Sequence, residues 1–305
     1  MKDNFGFVDL HIHTTASDGA CSPSEVVRMA LERSQLAIAI TDHDTLGGIA
    51  EALQTAKNTG LEVIAGVEIS SEGEWGDLHF LGYFVDPENE LLVSRLAAMR
   101  TSRVERARKM VARLASMGMP LEWERVQALA AGGTLGRPHI ALALEERGYV
   151  ATVSEAFERF IRSDGPAYFP RLKLSPAEVI ATIRQAGGVP VLAHPFHSGA
   201  AAVRRIPEFV EYGLRGLEVY HPAHSPDDST ALLEMCRTYD LIATGGSDFH
   251  FPSQGGGIHE RAELGSMRVP WECVKRLKAE VRRYVESAQD LQVLSPATHM
   301  ARSGD

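Results

Sequence analysis

Cysteine is scarce. Only Cys21, Cys236 and Cys273 occur in 305 residues, far apart and never as a CxxC pair. That excludes a disulfide framework and a zinc–thiolate site, and leaves the thiols as core residues. An excess of positive charge is also missing. The chain has 31 basic and 40 acidic residues, a net charge of −9, the reverse of a protein that coats long nucleic acid. A small phosphorylated ligand stays open, because bound divalent metals would invert the local field. No apolar run approaches the roughly 20 residues of a membrane span. The start MKDNFGFVDL has no basic region leading into an apolar stretch, so no leader is read. No low-complexity segment is present, nor a repeat with a roughly 20–50-residue period. These absences predict a cytoplasmic chain with no membrane contact and no obligate protein partner.

What is there is an ordinary globular composition, 44% hydrophobic and 23% charged, enough for one barrel-sized domain or a domain with an insertion. Short apolar runs at 5–10, 36–40, 61–67, 78–85, 189–193, 216–220 and 241–244 read as strands. Ser22-Pro23-Ser24-Glu25 and Ser175-Pro176-Ala177-Glu178 are capping boxes of one form, each opening a helix. Residues 45–59 and 271–287 read as helices as well. The middle differs: 91–117, 121–130, 137–147 and 154–161 are all helical in pattern. Parallel strands need crossover helices, so the alternation predicts an α/β fold, either a (β/α) barrel or a doubly wound sheet. The expected division is a barrel domain over 1–90 and 170–290, an all-helical insertion over 91–169, and a tail over 291–305.

Histidine is the informative residue. Most of the twelve follow predicted strands, and in α/β folds that is the face where ligands bind. In Val8-Asp9-Leu10-His11-Ile12-His13, strand alternation puts His11 and His13 on one side. Two imidazoles aimed at one point hold a divalent cation well. Asp18 sits in the loop that follows. Thr41-Asp42-His43-Asp44 comes after the second strand, Glu68 at the end of the third, and His79 in the fourth. His194 follows 189–193, and Asp248 and His250 follow 241–244. Singly, each is ambiguous, and a lone histidine near a strand is more often a satisfied structural residue than a ligand. Together they put histidine or carboxylate at nearly every strand end. Nitrogen and oxygen ligands without sulfur suit Zn, Mn or Fe, and the surplus over four ligands points to more than one metal.

The stretch His11-Ile12-His13-Thr14-Thr15-Ala16-Ser17-Asp18-Gly19 resembles the PHP (polymerase and histidinol phosphatase) family. So do Thr41-Asp42-His43-Asp44, Gly66-Val67-Glu68, Ala193-His194-Pro195 and Gly246-Ser247-Asp248-Phe249-His250. The resemblance implies a distorted, amidohydrolase-like (β/α)7 barrel with a trinuclear phosphoesterase centre. By position it implies that His11, His13 and Asp248 bind one metal. Glu68 would bridge it to a second, also held by His79 and His194, and Asp18, His43 and His250 would bind a third. Some family members have histidine in place of Asp18. A carboxylate there is harder, which favours Mn or Fe over Zn, so manganese is expected. The chain looks like the short stand-alone branch with a helical insertion. That branch implies removal of the 3′-phosphate from nucleoside 3′,5′-bisphosphates, and trimming of short 5′-phosphorylated RNA, by attack of a metal-bound hydroxide.

A leaving alkoxide needs a proton, and His197 and His224 are the candidate acids; both also read as surface loop histidines. Phosphate oxygens need cationic partners. Arg137 in Gly136-Arg137-Pro138-His139 stands at a helix start, where backbone N–H groups favour an anion, and guanidinium holds phosphate bidentately. Lys173, beside Arg171, is the second choice. The expected substrate-binding set is therefore Arg137, Lys173, His197 and His224, with Arg137 and the two histidines also in catalytic roles. Arg103, Arg106, Lys109 and Arg113 share a helix face, either solvated or part of a lid that attracts a polyanion. Other readings stay open: a histidinol-phosphate phosphatase, which would place an acidic partner where Arg137 stands; hydrolysis of an amide or lactone; and a catalytically silent metal-binding module.

Overall fold

The structure, a computed structural model, describes residues 6–73, 76–130, 133–170, 174–197, 199–251 and 262–294, with backbone alone for 72, 73, 76, 77 and 287–294. β1 (Phe7–Ile12) leads to α1 (Pro23–Glu32), whose start is fixed by Ser22 and Glu25 in a capping box with proline in the first turn. β2 (Ala37–Ile40), α2 (Ile49–Ala56) and β3 (Glu62–Gly73) follow. α2 begins later than the periodicity predicts, because Asp44 takes a left-handed φ of 52° and turns 43–48 into a loop. β4 (Gly76–Tyr83) then precedes the helical stretch: α3 (Glu90–Ser116), α4 (Trp123–Leu129), α5 (Arg137–Glu146), α6 (Val153–Ala156) and a π-helical turn at Phe157–Ile161.

Ser175 and Glu178 cap α7 (Pro176–Gln185) with the second box. β5 (Val189–Leu192), α8 (Ala200–Val203), α9 (Ile206–Glu211) and β6 (Gly216–Tyr220) follow. α10 (Pro226–Thr238) opens with a third box, Ser225 with Asp228, in which aspartate does the work of glutamate. β7 (Ile242–Gly245), a two-residue β8 (Val269–Pro270) and α11 (Glu272–Leu294) complete the chain.

The strands form one sheet in the order β7-β6-β5-β4-β3-β2-β1-β8. It nearly closes into a barrel: Phe249, just past β7, accepts from His13 N–H at 2.8 Å and bridges Ile12. β1–β2–β3 and β5–β6–β7 are parallel. The expectation of crossovers throughout fails at two places: the short β8 pairs antiparallel with β1, and the second departure is β4. β4 runs antiparallel to both β3 and β5. That reversal brings the start of β4, with His79 opposite Ser70, to the face where the parallel strands end. Among the described residues no helix is long and apolar enough to cross a membrane.

α3 serves two cores. Leu92, Leu96 and Met99 pack with Phe80, Ile183 and Leu192 on the barrel. Met110 and Leu114 pack with Val126, Ile140, Leu144 and Ile161, all within the helical stretch. The basic face of α3 splits accordingly: Arg103 and Arg106 are buried, Lys109 and Arg113 exposed. The helical stretch is thus pinned to the barrel mouth by Arg103. Its Nε donates to Asp44 Oδ2 at 2.7 Å and its Nη2 to Ser70 Oγ at 2.8 Å.

Candidate metal centre

Two carboxylates organise the strand ends. Glu68, 1% exposed, lies at the turning point of β3, where pairing with β2 gives way to pairing with β4. Its Oε2 is 3.4 Å from His11 Nε2, 3.2 Å from His13 Nε2 and 3.0 Å from His43 Nδ1. Its Oε1 is 2.9 Å from His79 Nδ1 and 3.1 Å from His194 Nε2. Asp248 is the second hub. Oδ1 lies 3.4 Å from His11, 3.3 Å from His13 and 3.6 Å from His250, and Oδ2 lies 3.6 Å from His221. Asp18 completes the ring, 3.7 Å from His13 and 3.5 Å from His250. All nine sequence-predicted residues therefore lie in one cluster of contacts around Glu68, Asp248 and Asp18.

The backbone is bent to allow this. His194 and Asp248 have left-handed φ of 29° and 51°, a conformation a non-glycine residue holds only when its surroundings fix it. His194 N–H donates to Glu218 Oε2 at 2.8 Å. Asp9 holds the 247–248 turn, accepting from Ser247 N–H at 2.9 Å and Ser247 Oγ at 2.6 Å. Asp42 shapes the loop that carries Asp18, accepting from Thr14 N–H at 2.7 Å.

Several of these atoms are buried without a hydrogen-bond partner: His11 Nε2, His13 Nε2, Asp18 Oδ1, His43 Nδ1, Glu68 Oε2, His79 Nδ1, His194 Nδ1 and His221 Nε2. All but His194 Nδ1 lie within ion-pair reach of an oppositely charged group of the ring yet are not aligned for hydrogen bonding. Buried polar atoms are normally satisfied, and leaving one unmade costs about 1–3 kcal/mol. Atoms that aim at shared points rather than at each other fit intervening cations. Four sets of donors lie within 4.8 Å of one another: His13, Asp18, His43 and His250; His11, His13 and Glu68; His43, Glu68 and His79; and His11, Glu218 and His221. The donor chemistry, imidazole and carboxylate with no sulfur, fits Mn, Fe or Zn.

The electrostatics carry the same demand. Burial opposes ionisation of Glu68, but His43, His79 and His11 outweigh it and hold the carboxyl well below its usual range. Asp248 is held low in the same way, against burial, by His11 and His250. Burial pushes His13 down, yet its contacts with Asp248 and Glu68 prevail and raise it to about 10. For His79 burial prevails over Glu68 and the imidazole falls to about 4.

The other expected residues are placed less uniformly. Arg137, at the start of α5, lines a pocket with Arg103, Arg106, Asp18, His43 and His79, and its guanidinium stacks over Phe157 at 5.6 Å. His197 is exposed at the mouth, its ring 5.4 Å from His194. His224 turns back onto its own strand, Nδ1 lying 3.0 Å from Val219 O, and His221 stands between it and the ring. Lys173 and Arg171 lie outside the described residues.

Glu218 and His221 were not singled out from sequence. Glu218 is wholly buried in β6, and its Oε1 lies 2.9 Å from His11 Nδ1. The available signal was a charge inside an apolar strand, Gly-Leu-Glu-Val-Tyr, since buried carboxylates need partners.

The sequence profile of the PHP domain matches residues 9–153. The chain is 33% identical over 268 residues to a 5′-3′ exoribonuclease of Haemophilus influenzae, covering 87% of this chain and 97% of that one. It is 34% identical over 255 residues to a 3′,5′-nucleoside bisphosphate phosphatase of Chromobacterium violaceum, covering 82% and 89%. A solved structure from Bifidobacterium adolescentis, described as a metal-dependent phosphoesterase, superposes with a TM-score of 0.80 at 34% identity, covering 89% and 95%.

Proposed function

The chain belongs to the PHP-domain family of metal-dependent phosphoesterases, and from that premise we propose that it releases the 3′-phosphate of nucleoside 3′,5′-bisphosphates. Short 5′-phosphorylated RNA would be trimmed by the same centre. In this reading three divalent cations, manganese foremost, are held in the cytoplasm by His11, His13, Asp18, His43, Glu68, His79, His194, Asp248 and His250. When bound, such cations acidify a water and neutralise charge on phosphoryl oxygens.

One observation carries the reading: Asp18, His43 and His79 line the same pocket as Arg103, Arg106 and Arg137. A substrate with two phosphates fits a donor ring that adjoins a separate cationic pocket. Arg137 binds the second phosphate, where a fork of N–H donors matches its oxygens. Glu218 holds the proton of His11 on Nδ1 and so frees Nε2. His197, which lines the larger cavity, is the acid that protonates the leaving 3′-oxygen. His224 faces Val219 and supports His221 instead. The cationic pocket also disfavours histidinol phosphate, whose ammonium calls for an acidic partner where Arg137 stands.

The test is a side-by-side assay of 3′,5′-bisphosphonucleosides, mononucleotides, short oligonucleotides and histidinol phosphate with Mn. Inorganic phosphate is expected from the bisphosphates, and Asp248→Ala is expected to abolish it. Undiminished turnover by that variant after metal stripping would overturn the reading.

A further inference from the structure

His43, Glu68 and His79 form one of the donor sets, and a buried clamp made by the helical stretch lies behind them. Its centre is Asp44, wholly buried and next in the chain to His43. Asp44 N–H donates to the carbonyl of Glu68 at 2.9 Å. Its own carbonyl accepts from Arg100 Nη1 at 2.8 Å, and its Oδ1 accepts from Ser70 N–H at 3.0 Å. Oδ2 takes Arg103 Nε at 2.7 Å and Nη2 at 2.5 Å. Arg103 Nη2 also reaches Ser70 Oγ at 2.8 Å, and Ser70 is the residue that pairs with His79 across β3 and β4. Thr134, just ahead of α5, donates through Oγ1 to the carbonyl of His43 at 3.0 Å. Every member of this donor set is therefore held, directly or through the next residue or strand partner, by the helical stretch.

Asp44 has a left-handed φ of 52°. A non-glycine residue stays there only where its surroundings fix it, and here α3 supplies much of the fixing. The Asp44 carboxylate and the Arg103 guanidinium are both buried, so removing either leaves the other uncompensated. Arg103 also lines the arginine pocket. Yet its Nε and Nη2 are already committed to Asp44 and Ser70, and a pair of parallel N–H donors is what grips a phosphate bidentately.

We infer that Arg103 is a positioning residue of the metal centre and not a phosphate-binding one. With Arg100 and Asp44 it sets the places of His43, Glu68 and His79, which makes the helical stretch part of the metal-binding apparatus. This rests on the metal-centre reading above and is independent of which phosphoester is cleaved.

The test is calorimetric Mn titration of Arg103→Lys, Asp44→Asn and the double variant, with kcat and KM for p-nitrophenyl phosphate and for a nucleoside 3′,5′-bisphosphate. Lysine keeps the charge and loses the fork; asparagine keeps the shape and loses the charge. Each single variant is expected to weaken Mn binding about 10- to 100-fold, and to lower kcat for both substrates alike at limiting Mn. The double variant is expected to lose little more than the worse single one, because the two residues act through one contact. Asp44→Asn, nearly isosteric, decides the matter if Arg103→Lys fails to fold. Unchanged Mn affinity, even with a lowered melting temperature, overturns the inference and leaves the pair a plain anchor for α3. A KM raised for the bisphosphate alone overturns it in favour of a phosphate contact, and additive losses in the double variant overturn the shared action. Failure to hydrolyse the bisphosphate, with Mn affinity shifted as expected, overturns the nucleotide reading and leaves this one standing.

Discussion

His11 faces carboxylates through both of its nitrogens. Nδ1 meets Glu218 at 2.9 Å, and Nε2 points between Glu68 and Asp248, 3.4 Å from each. An anion at one nitrogen fixes the tautomer and raises the basicity of the other. Glu218→Gln keeps the shape and removes the charge. It is expected to weaken Mn binding by about 10- to 100-fold, read by calorimetric titration, with kcat recovering in excess Mn. Unchanged affinity would deny Glu218 this role. His11 and His13 were legible in the sequence because two-residue alternation on a strand is a local property. Glu218 was not, because nothing local says which strand of a barrel will lie beside β1's histidines.

At the scale of elements, the loop after β7 must come very close to β1. A Cβ at Gly246 would sit 2.3 Å from His11 N and 2.5 Å from His11 Cβ. Neither backbone can give way without moving Asp248 or His11. Gly246→Ala is therefore expected to destabilise the protein by about 1–3 kcal/mol, measured as a lowered urea midpoint, and to reduce the bound metal per chain. A variant with full stability and full metal content would mean the loop relaxes without effect. The strand ends and most helices were legible from apolar runs and capping boxes. The reversal of β4 was not: an antiparallel and a parallel buried strand have the same apolar pattern, and only the pairing partner tells them apart. His79 thus read as a residue early in its strand, whereas the reversal puts it beside Glu68.

For the whole molecule, the metal-free and metal-bound forms should respond oppositely to pH. His13 in the metal-free fold is raised from an ordinary value near 6.5 to about 10. A raised imidazole contributes stability that is complete below its unfolded value and lost as pH climbs through the folded one. The chelated protein is expected to lose stability between about pH 6.5 and pH 10 from this group. With Mn the cation displaces that proton, so binding strengthens as pH rises and the melting temperature should hold or increase over the same window. Bound Mn at 100 times its Kd adds about 2.7 kcal/mol. Thermal melts with and without chelator across this range check the sign. Parallel falls in both forms would show that the ring does not bind cations in place of protons.

By itself the sequence determined the α/β rhythm, the helical stretch in the middle, and candidate donors at or near most strand ends, since each depends on periodicity or on caps within a few residues. Only the tertiary structure decided the rest. It put Glu68 among five imidazoles, set Glu218 behind His11, and turned His224 away while bringing His221 in. It also split the basic face of α3, sending Arg103 to Asp44 and Ser70 and leaving Lys109 in solvent. Those outcomes depend on which strands become neighbours and where a long helix crosses the barrel mouth. Contacts between residues as far apart as His11 and Glu218 come from barrel closure, and no short window of sequence holds that information.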